Sequence, residues 1–193
     1  MPASASLFSA FFAPFLSSKA PMRRTSFAKM SCSIARTLEL VGDWWTFLIV
    51  REAFFGSRKF GEFEKALGIA PNVLTQRLGK LVEGGILVVE ATSASGKALS
   101  YRLSAKGRDL FPVLVAMLQW GDKHASAPKG PPVRIVARRT GEEIAPMVLR
   151  SANGEVLDVS EVMPVAGPGA GQAVRQRMAE IAEMAEVRRA GKG

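Results

Sequence analysis

The chain has 193 residues, of which 48% are hydrophobic, and its 26 Lys and Arg residues against 17 Asp and Glu residues give a formal net charge of +9. This apolar content allows one main folded domain with appendages and excludes global disorder. The positive charge favours an anionic partner, either nucleic acid or a membrane surface.

The residue types needed for common catalytic and metal sites are scarce in this sequence. One cysteine, Cys32, excludes an internal disulfide framework, and one histidine, His124, leaves no conventional zinc ligand set. No paired-carboxylate, Ser/His/Asp or Cys/His arrangement is present, and the glycine-rich segment 166–171 lacks the Lys-Ser or Lys-Thr of a phosphate loop. We therefore predict that the protein is not an enzyme and uses no cofactor and no metal.

Residues 1–24 are predicted to lie outside the folded domain, either as a disordered extension or because the start codon is assigned too far upstream. The first 21 residues contain no acidic residue and are rich in Ser, Ala and Phe. Their apolar run is not preceded by Lys or Arg and is interrupted by Pro14, which argues against a signal peptide. Met22, which precedes Arg23 and Arg24, is the alternative start.

Two helices are predicted at the start of the folded region. Ser33 is a candidate cap for the first helix, and Gly42 ends it. Asp43 can cap the second helix, WWTFLIVREAFF, which is apolar nearly all round. A helix without a polar face is buried in a globular protein, so we expect the second helix at the centre of the domain.

The third helix, FGEFEKAL, ends at Gly68, and a short turn leads to a fourth helix, PNVLTQRLGKLVE. Pro71 suits the first turn of the fourth helix, and Gly84 with Gly85 suits its C-terminal cap. At about 100° per residue, the side chains of the fourth helix divide into an inward and an outward face. Inward lie Leu74, Leu78 and Leu81; outward lie Asn72, Gln76 and Gly79, flanked by Thr75 and Lys80, with Arg77 nearer the core.

Two strands follow the fourth helix and complete a recognisable arrangement. ILVVEA and LSYRL are joined by a small polar loop that carries Lys97. Ser104 is then predicted to cap a long helix that starts later, or bends, because of Pro112. The order of elements predicts a winged helix-turn-helix, mainly α with a small β-wing.

The composition changes after about residue 126. Residues 127–170 are predicted to form a linker and a β-rich extension, with turns at Thr140-Gly141 and Asn153-Gly154. Residues 171–193 predict an amphipathic helix with a basic tail. The predicted organisation is therefore a winged helix at 25–126 and a short β-rich extension that ends in a helix.

The outward face of the fourth helix has the chemistry to read DNA. Amide side chains can pair with base edges in the major groove, and Thr can meet a thymine methyl group or a phosphate. Basic side chains beside them can contact phosphates and so position the protein without reading sequence. We predict base or phosphate contacts for Asn72, Thr75 and Gln76, and phosphate contacts for Arg77, Lys80, Lys97, Arg58 and Lys59. The alternative for each of these residues is an ordinary solvated position.

Three stretches of the chain closely resemble the HxlR family of bacterial transcriptional regulators, over roughly residues 24–125. They include Cys32 ahead of the first helix, the GDWWT segment at 42–46, the helix from Leu74 to Leu81, and LFPVL at 110–114. The resemblance implies a cytoplasmic, nucleoid-associated homodimer of winged helices on a palindromic operator. It also implies a dimer interface built from the first helix and the last long helix. The candidate interface residues are Ile34, Leu38, Leu110, Leu114, Leu118 and Trp120, for which core packing is the alternative.

Two further implications of the resemblance concern chemistry. Cys32 matches a cysteine that some relatives use to sense oxidants or electrophiles, and Arg36 lies one turn further on; an unreactive packed thiol is the alternative. In a subset of the family, cysteines beside glycines in the C-terminal extension bind zinc. Thr140 and Asn153 stand at those positions here, so we expect no metal.

The leading prediction is a sequence-specific DNA-binding transcriptional regulator. One alternative is a winged-helix protein-interaction module without specific DNA binding, but such domains lose the basic face that Arg77, Lys80, Lys97 and Arg102 supply here. Another alternative is membrane-surface binding through residues 1–24, and we predict no membrane partner.

Overall fold

A computed structural model of the chain describes residues 26–91, 99–125 and 128–191. The predicted extension at 1–24 and the wing tip with Lys97 lie outside these ranges. The helices and strands of the winged domain are α1 Ser33–Val41, α2 Trp44–Phe55, α3 Phe60–Leu67, α4 Pro71–Glu83, β1 Leu87–Ala91, β2 Leu99–Leu103, α5 Ala105–Arg108 and α6 Phe111–His124. They are followed by β3 Leu149–Arg150, β4 Val156–Leu157, a 3-10 turn Val159–Glu161 and α7 Gln172–Ala190. The predicted fold class is therefore confirmed.

Helix α2 lies at the centre of the winged domain, as predicted. Ile49, Val50 and Ala53 are completely buried, and α2 contacts α1, α3, α4, α6 and β2. The helix is not buried all round, because Trp44 at its start and Phe55 at its end are exposed. The apolar side chains on one side of α2 therefore pack in the core, whereas a large aromatic side chain at each end is exposed to solvent.

The N-terminal caps predicted for the first two helices have different outcomes. The Asp43 side chain accepts a hydrogen bond from the backbone N–H of Trp45 at 3.1 Å and caps α2 as expected. The prediction that Ser33 caps α1 is wrong, because Cys32 is the N-cap residue and α1 already includes Ser33. The Ser33 hydroxyl instead accepts a hydrogen bond from the Arg36 guanidinium at 3.1 Å.

The predicted long helix after the wing is two helices. Ser104 caps only the short α5, through a 2.9 Å hydrogen bond from the backbone N–H of Gly107. Helix α6 starts at Phe111 with Pro112 in its first turn, where the missing N–H of proline costs no hydrogen bond. Pro112 therefore marks a later start, which was one of the two predicted outcomes.

The wing is an antiparallel pair of strands in which Leu87 lies opposite Leu103. A third segment extends the pair, because Lys59 forms a bridge with Ser100 and the backbone N–H of Tyr101 donates to the carbonyl of Arg58 at 2.7 Å. The Tyr101 ring is buried against Phe63 of α3 in an edge-to-face arrangement at 6.3 Å, and burial raises the pKa of Tyr101 to about 12. These contacts join the wing to the helix-turn-helix.

The extension forms the predicted turns and rests against α6, but the strands described in it, β3 and β4, have two residues each, so it is less β-rich than predicted. Gly141 and Gly154 have φ angles of 74° and 90°, which glycine adopts without the steric cost of a side chain. The Gln119 side chain in α6 donates to the carbonyl of Ala145 at 3.2 Å and accepts from the backbone N–H of Met147 at 2.7 Å. The Gln119 amide thus satisfies one backbone carbonyl and one backbone N–H of the extension, as the backbone of a neighbouring strand would. Within the described residues, no helix combines the length and the apolar character needed to span a bilayer.

Gly107 is expected to tolerate no side chain. A Cβ atom there would lie 2.2 Å from the Ile86 carbonyl oxygen and 3.1 Å from a Leu103 methyl group. The backbone of α5 would therefore have to move away from the backbone of Ile86, which precedes β1. Gly107→Ala should lower the free energy of unfolding by about 1–3 kcal/mol. Gly61→Ala is the matched control because its Cβ would meet nothing within 4 Å, and it should be neutral or stabilising. The urea unfolding midpoints of the two variants measure these effects. Equal midpoints would contradict the close contact between Gly107 and Ile86.

Candidate nucleic-acid interface

Helix α4 presents a polar face because its apolar face is locked in the core. Leu74, Leu78 and Leu81 are completely buried. Asn72, Gln76 and Lys80 lie on the other side and are exposed, whereas Thr75 is half-buried at the flank. The side chains that the sequence assigned to the outward face are therefore free to meet a ligand, with the exception of Gly79.

The prediction that Gly79 lies on the open face is wrong. Gly79 is buried, although the helical period places it away from the leucine stripe. A glycine has only backbone surface to expose, and almost none of that surface is open to a ligand at Gly79. The closest approach to a ligand must therefore come from the longer side chains of Asn72, Gln76 and Lys80.

The turn between α3 and α4 has a fixed geometry. Gly68 ends α3 in the left-handed region at φ 59°, and its N–H donates to the Glu64 carbonyl at 2.9 Å. Ile69 then inserts into the core with 3% of its surface exposed, and Pro71 opens α4. Gly68, Ile69 and Pro71 thus determine the direction of α4 relative to α3.

Arg77 has an internal partner, which competes with its predicted role as a phosphate clamp. Its guanidinium lies 2.8 Å from the second carboxylate oxygen of Asp43, and the exposed fractions of the two side chains are only 16% and 18%. The Nε atom of Arg77 is buried without a hydrogen-bond partner among the described residues. Arg77 therefore ties the middle of α4 to the cap of α2.

Arg58 and Lys59 precede α3 and differ in availability. Nη1 of Arg58 donates to the carbonyls of Ala53 and Ser57 at 2.7 and 2.8 Å, so part of the guanidinium caps the end of α2. The Glu62 carboxylate accepts the backbone N–H groups of Arg58 and Lys59 at 2.6 and 3.0 Å, and these bonds lower the pKa of Glu62. The Lys59 residue is exposed at the start of α3.

The outer face of the wing carries a charge pair. Arg102 on β2 forms an ion pair with Glu90 on β1, which lies opposite Ser100, so the pair is diagonal across the hairpin; both side chains are about half exposed. This pair reduces the positive charge that the wing offers. Lys97, which was predicted at the wing tip, lies outside the described residues.

The candidate dimer residues fall into two groups. Ile34, Leu38 and Trp120 expose 72%, 45% and 65% of their surfaces. Leu110, Leu114 and Leu118 are half-buried within the chain. Leu110 packs against the core, whereas Leu114 and Leu118 line a cavity of about 240 Å³ that Ile135 of the extension also lines.

Sequence reasoning missed other exposed apolar residues near the same elements. Trp44, Phe55, Val113 and Met117 each expose at least 44% of their surfaces. The GDWWT segment held a signal for Trp44, since a tryptophan beside the Asp43 cap lies on the first turn of the helix. The Cys32 thiol is free and exposed just before α1, in line with access for a reagent. In the described part of the chain, no group of three or more His, Cys, Asp or Glu residues is placed to hold a metal ion.

Known proteins share this arrangement. The HxlR-like helix-turn-helix family matches residues 40–129. Rv3095 of Mycobacterium tuberculosis, an uncharacterized HTH-type transcriptional regulator, is 42% identical over 137 residues, which cover 71% of this chain and 87% of Rv3095. The regulator sll1512 of Synechocystis, also uncharacterized, is 35% identical over 91 residues, or 47% of this chain and 67% of that protein.

Two solved structures extend the similarity to the fold. The crystal structure of PA1607, a candidate transcription factor, is 43% identical and aligns with a TM-score of 0.69 over 74% of this chain and 100% of PA1607. PA1374 of Pseudomonas aeruginosa, another candidate transcription factor, is 41% identical with a TM-score of 0.56 over 76% of this chain and 99% of PA1374. The buried leucine stripe, the helix-turn-helix, the wing and these relatives together establish that the chain belongs to the HxlR family of helix-turn-helix transcriptional regulators.

Proposed function

We propose that the protein is a sequence-specific transcriptional regulator that binds a palindromic operator as a homodimer, with α4 in the major groove. The observation that carries this proposal is the exposure of Asn72, Gln76 and Lys80 on a helix whose leucines are completely buried. A regulator of this class acts on the nucleoid in the cytoplasm, with duplex DNA as its partner and without catalysis.

The side chains divide by the chemistry they offer to DNA. Asn72 and Gln76 carry amides that can donate to and accept from base edges, so they read sequence. Thr75 lies at the flank of the helix and suits a thymine methyl group or a phosphate. Lys80 and Lys59 are exposed cations that contact phosphates and hold α4 in register.

The homodimer rests on the exposed apolar residues of α1 and α6. Ile34, Leu38 and Trp120 would lose their contact with water if a second copy covered them, and large exposed apolar groups mark interaction surfaces. A two-fold dimer places its recognition helices about 34 Å apart, which matches successive major grooves on one face of DNA. Leu110, Leu114 and Leu118 then support the interface from within each subunit.

Replacing Gln76 and Lys80 in turn should separate base reading from phosphate contact. The DNA affinity of each protein is measured at several salt concentrations. Two kinds of DNA are used: an operator selected from random duplexes, and unselected DNA. Lys80→Ala should weaken binding to all duplexes and reduce the slope of log affinity against log salt by about 0.9. Gln76→Ala should cost about 1–3 kcal/mol on the operator and relax the preference at one base pair.

Lys129→Ala is the control, because it removes an exposed lysine from the extension. It should leave both the DNA affinity and the slope of log affinity against log salt unchanged. Uniform loss on all DNA in Gln76→Ala would reassign Gln76 to the backbone. If the wild-type chain binds no duplex at low salt, the protein-interaction module is the better description.

The dimer proposal is tested by removing two of its exposed apolar groups. The double substitution of Ile34 and Trp120 by Ser should raise the dimer dissociation constant by at least about 100-fold, because each lost contact occurs twice in a two-fold interface. Sedimentation equilibrium measures this constant. Val187→Ser changes an equally exposed residue on α7 and is the control. An unchanged association constant would place the interface elsewhere.

A response to oxidants through Cys32 is the finer part of this proposal. The free, exposed thiol next to α1 supports it, because oxidation there would alter a helix that we place at the dimer interface. Cys32→Ser should keep operator affinity but lose the sensitivity of that affinity to peroxide. Equal responses of both proteins would leave Cys32 with a structural role alone.

A further inference from the structure

We infer that a notch lined by three arginines binds a phosphate group. The notch lies where the end of α2, strand β2 and helix α5 meet, and its volume is about 290 Å³. Among the described residues, no carboxylate lines it. The lining residues are Ala53, Phe54, Arg58, Arg102, Leu103 and Arg108.

Arg58 is held in place before any ligand arrives. Its Nη1 bonds to the carbonyls of Ala53 and Ser57 fix the guanidinium at the end of α2, and Arg58 is half-buried. Its own carbonyl accepts the N–H of Tyr101 at 2.7 Å, so Arg58 is also joined to the strand that carries Arg102. A side chain that is already ordered loses little further entropy when it binds.

Arg108 and Arg102 enter the notch from other segments. Nη1 of Arg108 donates to the Leu103 carbonyl at 3.1 Å, and Arg102 pairs with Glu90 on the neighbouring strand. Three arginines therefore line one small cavity, and the carboxylates near them, Glu90 beside Arg102 and Glu62 at the backbone of Arg58, lie outside its lining. A bound anion would relieve the remaining repulsion between like charges.

The chemistry and the size of the notch select a phosphate group. Guanidinium groups match the geometry of phosphate with paired N–H donors and remain charged at every physiological pH. The volume lies at the lower limit of pockets for drug-sized ligands, so the notch holds one compact oxyanion group and not a large molecule.

The phosphate can belong to the DNA backbone or to a free small phosphate. Lys59 bridges to Ser100 next to Arg58, which puts the notch at the root of the wing, beside the start of α3. The DNA source rests on the function proposed above, whereas the free source is independent of it.

The test uses the full chain and inorganic phosphate at constant ionic strength. Titration is followed through the arginine side-chain N–H signals in the NMR spectrum. The double variant R102Q/R108Q removes two exposed guanidinium groups and spares Arg58, whose loss would uncap α2. The control variant R138Q/R139Q removes two exposed arginines from the extension and makes the same change in net charge.

We expect the wild type and the control variant to bind phosphate saturably with similar affinity. The phosphate affinity of R102Q/R108Q should be at least about tenfold lower. Absence of saturable binding in the wild type would overturn the site. Equal binding by R102Q/R108Q would overturn it as well, because binding would then follow net charge and not the notch.

Operator binding against salt distinguishes the two sources. If the notch takes a backbone phosphate, R102Q/R108Q should lower the salt slope by about one unit relative to the control. If the slopes agree while phosphate binding is lost, the ligand is a free phosphate. If no variant binds DNA, the proposed regulator function fails, and the phosphate titration still decides the notch.

Discussion

The recognition surface of this protein depends on the burial of three leucines in helix α4. Leu74, Leu78 and Leu81 are each completely buried, and burial of one leucine is worth about 1.5–3 kcal/mol. Any roll of α4 about its axis would bring part of this stripe into water. The same constraint that stabilises the domain therefore fixes which polar side chains, Asn72 and Gln76 among them, point away from it.

Polar contacts refine this orientation and hold two arginines, Arg77 and Arg58, within the fold. The Asp43 carboxylate caps α2 with one oxygen and holds Arg77 of α4 with the other, so the junction after α1 is joined directly to the recognition helix. Arg58 caps the end of α2 in a similar way. The number of Lys and Arg residues is consequently a poor guide to the proposed DNA-binding surface, since some of these side chains stabilise the fold.

Helix α6 serves two surfaces. Gln119 pairs with the backbone of the extension, and Ile135 lines the same cavity as Leu114 and Leu118, whereas Trp120 stays exposed. The extension thus rests on the helix that the proposed homodimer also uses. In the proposed homodimer, the extension therefore lies beside the interface together with the winged domain.

The sequence by itself determined the order of elements from α1 to the wing, the winged-helix fold, the Asp43 cap and the inward face of α4, because period, turn residues and capping chemistry are local properties. It could not determine that Arg77 pairs with Asp43, that Gly79 is covered, or that Arg58, Arg102 and Arg108 share one notch. These facts depend on distances between residues far apart in the chain, and only tertiary packing sets such distances. An arginine has the same helical position whether it faces a carboxylate or a phosphate, so its partner was decided by the fold.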